Sequence, residues 1–139
     1  MSRITTAEFD AILRAGAPFA AALGVETVEL SRERAVFRLP DRADFQRPGG
    51  TISGPMMMGL ADLAMYGAVL AAIGPEELAV TTNLNINFLR KPTRADLLAD
   101  ARLMKVGKRL AVGEVTIYSE GTEEPVAHVT ATYSIPQVR

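Results

Sequence analysis

The feature that most constrains this chain is an apolar segment of helical length, from Pro55 to Ile73, with a single charged residue, Asp62. Its sequence is PMMMGLADLAMYGAVLAAI. A carboxylate among methionine, leucine and alanine side chains loses hydration, which costs several kcal/mol unless other groups compensate. Such a residue is kept either because the fold ties it down with hydrogen bonds or because a reaction uses it.

The same segment is just long enough to suggest a transmembrane helix. However, Asp62 lies near its centre, and the segment has neither basic residues at both ends nor a belt of aromatic residues. Pro55 suits the first turn of a helix, and Gly74-Pro75 ends it. We therefore expect a helix surrounded by protein, and no membrane partner.

The composition is that of one soluble globular domain spanning residues 1–139, with 48% hydrophobic and 22% charged residues. A formal net charge of −1 gives no general attraction to nucleic acid. The absence of cysteine excludes disulfides, thiolate metal sites and a cysteine nucleophile. The first residues have no apolar stretch of signal-peptide length, so we expect a cytoplasmic protein.

Local patterns predict the order of the elements. Thr5 or Thr6 caps a short helix that ends near Gly16, and a second short helix starts at Pro18. Strand patterns follow, and they are separated by turn residues. The predicted strands are VETVEL and RAVFRL within 25–39, then Leu78–Leu89, Asp96–Val106, Leu110–Tyr118 and Pro125–Ile135.

These elements predict an α+β fold in which an antiparallel sheet wraps around one long central helix. Short connections between successive strands favour a meander. A helix that is apolar on every face needs a wrapping partner, which a curved sheet supplies. The irregular segment 40–54, rich in Pro, Gly and Asp, is a long loop of the kind usually tied to function.

The chain resembles the hotdog-fold acyl-CoA thioesterases of the phenylacetic acid degradation type, which are 4-hydroxybenzoyl-CoA thioesterase-like. The resemblance rests on GGTISGPMMMGLADLAM, the strand Val80–Lys91 and the hairpin Leu103–Gly121, and it extends from Phe19 to the last strand. The family pattern has His-Gly-Gly at the start of the central helix and an acid nine residues after the histidine. Here Ser53-Gly54-Pro55 and Asp62 occupy those positions.

Three positions depart from the family pattern. Ser53 replaces the histidine, and Pro55 replaces the second glycine. Arg47, or Gln46 if the loop slips by one residue, stands where the family often has an asparagine whose amide helps hold the thioester. A guanidinium at Arg47 would favour an acidic acyl group such as a dicarboxylyl-CoA.

Hydrolysis of a thioester needs an activated water or a carboxylate nucleophile, together with donors for the developing oxyanion. Asp62 is the candidate general base or nucleophile, and the sequence leaves both roles open. Gly54 is the candidate oxyanion donor, because its N–H lies at the positive end of the long helix.

Geometry then predicts a homodimer. Eight helical residues between Gly54 and Asp62 correspond to about 12 Å of rise. A reacting carbonyl must lie roughly 3 Å from both its oxyanion donor and its nucleophile, so one helix cannot supply both groups. Two helices related by a two-fold axis can, with Gly54 of one chain facing Asp62 of the other. A dimer of two such dimers is also open.

The remaining candidates have weaker signals. By resemblance, Thr81 takes the place of a small hydroxyl that holds water or the acid. Helical spacing places Met58, Gly59, Met65 and Tyr66 on the side of Asp62, and Met58 and Tyr66 are candidates to line an acyl pocket. Ser53 orients the loop or touches the acyl chain. Lys108 and Arg109, at a hairpin turn, suit the phosphates of coenzyme A.

The sequence thus predicts an acyl-CoA or aryl-CoA thioesterase without metal or redox cofactor, with coenzyme A entering as part of the substrate. A non-catalytic acyl-CoA-binding protein on the same fold is the alternative. A hydratase or dehydratase is a further alternative that normally uses a histidine beside an acid. The single histidine, His128, lies in a distant segment, which disfavours this chemistry and also a Ser-His-acid relay through Ser53.

Overall fold

A computed structural model describes residues 1–137 as three α-helices and a six-stranded antiparallel sheet. The predicted elements are confirmed, with bounds that differ by at most a few residues. The helices are α1 (Thr6–Gly16), α2 (Pro18–Ala22) and α3 (Gly54–Ile73), with a 3-10 helix at Ala43–Phe45. The strands are β1 (Glu26–Ser31), β2 (Arg34–Leu39), β3 (Val80–Phe88), β4 (Leu97–Val106), β5 (Leu110–Ser119) and β6 (Pro125–Ser134).

Helix α1 begins where the sequence predicts, at a capping box. The Thr5 hydroxyl accepts a hydrogen bond from the Glu8 N–H at 3.1 Å, and the Glu8 carboxylate accepts one from the Thr5 N–H at 2.9 Å. Each side chain thereby satisfies a backbone donor that the first turn leaves free. Phe9 and Leu13 then bury the inner face of α1 in the core.

Helix α3 is the central helix, and most of its side chains are buried. Ser53 is its N-cap residue, Pro55 lies in its first turn, and Gly74 ends it with a φ of 99° and an N–H that donates to the Leu70 carbonyl at 2.8 Å. By length and composition α3 is the one helix in residues 1–137 that could cross a membrane. However, 67% of its apolar window is buried inside the fold, as in the core helix of a folded domain.

The sheet has the order β1-β2-β4-β5-β6-β3, which corrects one prediction. A simple meander would place β3 beside β4, but β3 pairs with β6 at the far edge. The segment 89–96 between β3 and β4 is long enough to return the chain from this edge to the middle of the sheet. Because β3 is an edge strand, one row of its backbone donors and acceptors has no partner strand within residues 1–137.

The core lies between α3 and the concave face of the sheet, where Ala35, Phe37 and Leu39 of β2 alternate inward. The closest approach is at Gly67 of α3. A Cβ atom there would lie 2.6 Å from Cζ and 2.7 Å from Cε2 of Phe37, which is itself fully buried. A glycine is therefore required at Gly67 for the helix to pack this close to β2.

Gly59 and Gly67 of α3 should respond in opposite directions to alanine. At Gly67 the added methyl overpacks the core, and we expect Gly67→Ala to lower the free energy of unfolding by about 1–3 kcal/mol. At Gly59 the nearest atom to an added Cβ is 3.9 Å away, so Gly59→Ala should raise the free energy of unfolding by up to about 1 kcal/mol through helix propensity. Urea unfolding at one fixed protein concentration measures both, and a Gly67→Ala protein as stable as wild type would contradict the packing argument.

Candidate active site

The Asp62 carboxylate is held by two hydroxyl groups that donate to the same oxygen atom. Thr81 Oγ1 donates to Asp62 Oδ1 at 2.6 Å, and the Tyr133 hydroxyl donates to it at 2.8 Å. The Tyr133 hydroxyl also lies 3.0 Å from the main-chain oxygen of Asp62. Within residues 1–137 no hydrogen bond reaches Oδ2. One oxygen of the half-buried carboxylate is thus fixed, and the other is available for chemistry.

The register of the sheet explains why these two hydroxyls meet at Asp62. Thr81 of β3 and Tyr133 of β6 are directly opposite each other, and both point inward toward α3. This pairing exists only because β3 lies beside β6. The contact between Thr81 and the acid, which the resemblance implied, is present in the structure.

Tyr133 remains a hydrogen-bond donor over a wide range of pH. Its side chain is buried, and this burial, together with the neighbouring Asp62 carboxylate, raises the pKa of the phenol well above its ordinary value of 10.0. The neutral phenol is the form that donates a proton to a carboxylate.

Asp62 lies at the inner surface of a solvent-open cavity of about 770 Å³. Helices α1 and α2 form one wall, the middle of α3 forms the floor, and residues 77–81 with Tyr133 form the opposite wall. The lining is largely apolar, with Asp62 and Glu77 as its charged residues within the described chain. A volume and a lining of this kind are typical of small-molecule sites.

Two of the four residues predicted to share the side of Asp62 do so. Gly59 and Tyr66 line the cavity, and the Tyr66 hydroxyl donates to the Glu77 carbonyl at 2.9 Å. Met58 does not line it and is 43% exposed, while Met65 is fully buried against Gly113 of β5. For Met65 the spacing argument fails because the sheet covers this part of α3, whereas the predicted contact of Met58 with an acyl chain stays a prediction.

The predicted residues at the start of α3 lie apart from Asp62 in this chain. Ser53 caps the helix through its main chain, since its hydroxyl makes no capping hydrogen bond, and its N–H donates to the Phe45 carbonyl at 2.9 Å. The Gly54 N–H finds no acceptor within residues 1–137, and its Cα packs near the ring of Phe88. Arg47 is exposed on the preceding loop, where its N–H donates to the Thr51 carbonyl at 2.8 Å.

Lys108 and Arg109 are exposed at the turn between β4 and β5 and do not line the cavity. They lie at the end of the sheet that also holds Thr81, because Leu110, Ser134 and Val80 are aligned across β5, β6 and β3. These cations therefore lie at the same end of the sheet as Thr81, and their turn leads into β5, which β6 separates from β3.

Sequence reasoning missed two parts of the site. Tyr133 could have been found from the inward alternation of Val129, Ala131 and Tyr133, because a buried tyrosine needs a partner for its hydroxyl. The cavity wall formed by α1 and α2 had no signal in the sequence, since its small residues carry no chemistry that would mark them.

Comparison with known proteins identifies the family. The sequence profile of the Thioesterase superfamily matches residues 49–126, which include α3 and most of the sheet. The chain belongs to the Thioesterase superfamily. Its fold is the hotdog fold, as the resemblance implied.

Solved structures of thioesterase-superfamily proteins match nearly the whole chain. A candidate thioesterase from Silicibacter sp. TM1040 is 43% identical, with a TM-score of 0.88 over 99% of this chain and 95% of that one. A mutant of the phenylacetic acid degradation protein PaaI from Thermus thermophilus is 31% identical, with a TM-score of 0.75 over 86% and 99%.

Curated relatives are more distant. A candidate esterase from Deinococcus radiodurans is 33% identical over 101 residues, which cover 72% of this chain. The match spans less than two thirds of that relative's length, 63%. The 1,4-dihydroxy-2-naphthoyl-CoA hydrolase of Listeria monocytogenes is 26% identical over 84% of this chain and 94% of its own.

The raised pKa of Tyr133 predicts its behaviour in alkali. The chain has three tyrosines, and a native Tyr133 phenol should not ionise near pH 10. In an absorbance titration of phenolate, Tyr133→Phe should leave the phenolate that forms in the native protein unchanged and reduce only the step that accompanies alkaline unfolding. Because the unfolded state loses this proton first, Tyr133 stabilises the fold below its unfolded pKa, and this stability falls as the pH rises above about 10. A smaller native step in Tyr133→Phe would contradict the buried hydrogen bond.

Proposed function

We propose that this chain hydrolyses the thioester bond of an acyl-CoA, releasing the free acid and coenzyme A. The observation that carries this proposal is the Asp62 carboxylate, fixed through Oδ1 by Thr81 and Tyr133 at the inner surface of an apolar cavity. Membership of the Thioesterase superfamily supports it, as does the similarity to a naphthoyl-CoA hydrolase.

The two oxygens of Asp62 would have different roles. Oδ1 accepts the hydrogen bonds of both hydroxyl groups. Oδ2 would then remove a proton from water or attack the thioester carbonyl itself. As a base, Asp62 would take a proton from the water that attacks the carbonyl and pass it to the coenzyme A thiolate released as the C–S bond breaks. As a nucleophile, Asp62 would form a mixed anhydride as the C–S bond breaks, and water would then cleave this anhydride, which frees Asp62 and supplies the acid oxygen and the thiol proton. The hydrogen bonds from Thr81 and Tyr133 would restrict the Asp62 side chain to one rotamer, so that Oδ2 is oriented before the substrate binds.

The oxyanion donor would come from a second copy of the chain. Gly54 lies about 12 Å along α3 from Asp62, too far to reach the same carbonyl. The free Gly54 N–H and the positive end of α3 suit a developing negative charge. Edge strand β3 supports pairing of two chains, since it is unpaired on one side and bears Phe88 at 51% exposure, next to Gly54. A homodimer with two shared sites follows, and a dimer of dimers is also open.

The coenzyme A moiety would extend out of the site toward the sheet end that bears Lys108 and Arg109. Both cations are exposed, and guanidinium and ammonium groups bind phosphates. Ser53 and Arg47 would approach the thioester from the partner chain. The proposed reaction uses no metal or redox cofactor, and we propose no nucleic-acid or membrane partner. The proposed location is the cytoplasm.

Replacement of Asp62 tests the proposal. Asp62→Asn keeps an oxygen that accepts from Thr81 and Tyr133 but removes the base, so we expect kcat for thiol release to fall about 10²- to 10⁴-fold. The assay uses short, medium, aromatic and dicarboxylic acyl-CoAs, with Asp44→Asn as a control at an exposed carboxylate. Binding of acyl-CoA by wild type without thiol release would refute hydrolysis and establish an acyl-CoA-binding protein.

The role of Gly54 can be separated from its packing by two substitutions. Gly54→Pro removes the N–H at the first position of α3, where helices often have proline. The preceding residue, Ser53, has the extended backbone conformation that a residue before proline prefers. Gly54→Ala adds the same first carbon but keeps the N–H. We expect about a 10²- to 10³-fold loss of kcat in Gly54→Pro and a much smaller change in Gly54→Ala, both measured by thiol release.

Mixed dimers then test whether the sites are shared. When Asp62→Asn and Gly54→Pro chains are co-expressed, each mixed dimer has one intact site if Asp62 and Gly54 come from different chains. Random pairing should restore roughly a quarter of wild-type activity. No recovery in dimers shown to be mixed would mean that the two groups do not act across the interface.

A further inference from the structure

We propose that the cavity between α1–α2 and the floor formed by α3 binds an apolar acyl chain, and that Glu77 at its rim discriminates against acyl groups that end in a carboxylate. This inference rests on the proposed thioesterase function and specifies its substrate class. The cavity wall formed by α1 and α2 lies outside the part of the chain matched by the family profile, whereas Gly59 and Glu77 lie inside it.

The shape of the cavity fits a chain of methylene groups. Ala17 and Ala20 line one wall and Gly59 lines the floor, and these small residues leave the space between the helices open. Gly16 also lines the cavity, and a Cβ atom at this position would have no other atom within 4 Å. Helix α1 keeps the wall in place because Phe9 and Leu13 are buried in the core.

The rim extends the apolar surface toward solvent. Phe19 of α2 and Leu78 before β3 both line the cavity, yet they are 68% and 78% exposed. An apolar ligand in the cavity would shield these two large side chains from water. The chain would therefore bury methylene groups from the Asp62 carboxylate outward to Phe19 and Leu78.

The charges in the cavity oppose an acidic acyl group. Asp62 and Glu77 are carboxylates, and within the described residues no lysine, arginine or histidine lines the cavity. The hydrogen bond from Tyr66 to the Glu77 carbonyl holds the rim segment against α3. A terminal carboxylate on the acyl chain would meet like charge without a counter-ion. The acidic preference that Arg47 suggests would require that group to bind outside this cavity.

The cavity suits the acyl chain better than the pantetheine arm of coenzyme A. Pantetheine carries two amides that need hydrogen-bond partners when buried. The hydroxyls nearest Asp62 are already committed, since Thr81 and Tyr133 donate to its carboxylate and Tyr66 donates to the Glu77 carbonyl. An alkyl chain makes no such demand on the lining.

A series of straight-chain acyl-CoAs from acetyl to dodecanoyl tests chain binding. In wild type, kcat/KM should rise about threefold to fourfold for each added methylene until the cavity is full. Ala20→Phe and Gly16→Phe, which fill the cavity, should end this rise at a shorter chain and lower kcat/KM more for decanoyl-CoA than for acetyl-CoA. Ala21→Phe, at the neighbouring exposed residue that does not line the cavity, should keep the wild-type profile.

A pair of substrates of equal length tests the rim charge. Hexanoyl-CoA should be preferred to adipoyl-CoA by about tenfold or more in wild type. Glu77→Lys should reduce this preference several-fold, whereas Glu76→Lys, an exposed neighbour outside the lining, should reduce it less. A preference for adipoyl-CoA in wild type would overturn the proposal and favour the acidic acyl group suggested by Arg47.

Failure of this inference can be distinguished from failure of the thioesterase proposal. If cavity-filling variants lower kcat/KM equally for every chain length, the cavity binds pantetheine and the inference is wrong while hydrolysis stands. If wild type releases no thiol, calorimetric titration with decanoyl-CoA and with free coenzyme A replaces the rate assay. Tighter binding of decanoyl-CoA that Ala20→Phe removes and Ala21→Phe keeps would support the acyl cavity, and equal binding of the two would overturn it.

Discussion

The two hydrogen bonds that Thr81 and Tyr133 donate to one oxygen of Asp62 are the interaction on which the site depends. They compensate the only charge of an otherwise apolar central helix, and they fix its side chain at the inner surface of a cavity. Because both donors bind Oδ1, stabilisation of the carboxylate and orientation of its free oxygen come from the same contacts. Asp62 also lines a ligand-sized cavity, so the same carboxylate that these hydroxyls hold is accessible to a bound molecule.

This interaction in turn depends on the position of β3 in the sheet. The crossover of segment 89–96 places β3 next to β6, which makes Thr81 and Tyr133 cross-strand neighbours on the inner face. The same crossover makes β3 an edge strand with exposed Phe88 beside Gly54. The position of β3 therefore orients Asp62. It also leaves the start of α3, at Gly54, beside a strand edge that a second chain could cover.

The sequence predicted the elements well because their signals are local. Thr5 and Glu8 form a capping box within four residues, and Pro55 and Gly74 bound a helix whose apolar run is continuous. The order of the strands in the sheet has no such local signal, and the assumption that short connections join neighbouring strands predicted the wrong neighbour for β3. Tyr133 was missed for the same reason, since its role exists only through that pairing. Met65 was misplaced because helical spacing gives a common side, whereas the curved sheet decides which part of that side is covered.

The division of the chain between catalytic and specificity elements follows from these contacts. Asp62, Thr81 and Gly54 lie within the residues that match the family profile, whereas Tyr133 lies beyond them, so most of the proposed reaction site belongs to the part of the chain shared with the superfamily. The wall of small residues in α1 and α2 lies before residue 49 and makes no contact that the carboxylate requires. A change of volume at Ala20 or Gly16 can therefore alter which acyl chain fits without disturbing the hydroxyls that hold Asp62. If the proposed function and the acyl cavity hold, substrate choice would depend on the N-terminal helices, and the thioester chemistry would depend on α3 and the strands that face it.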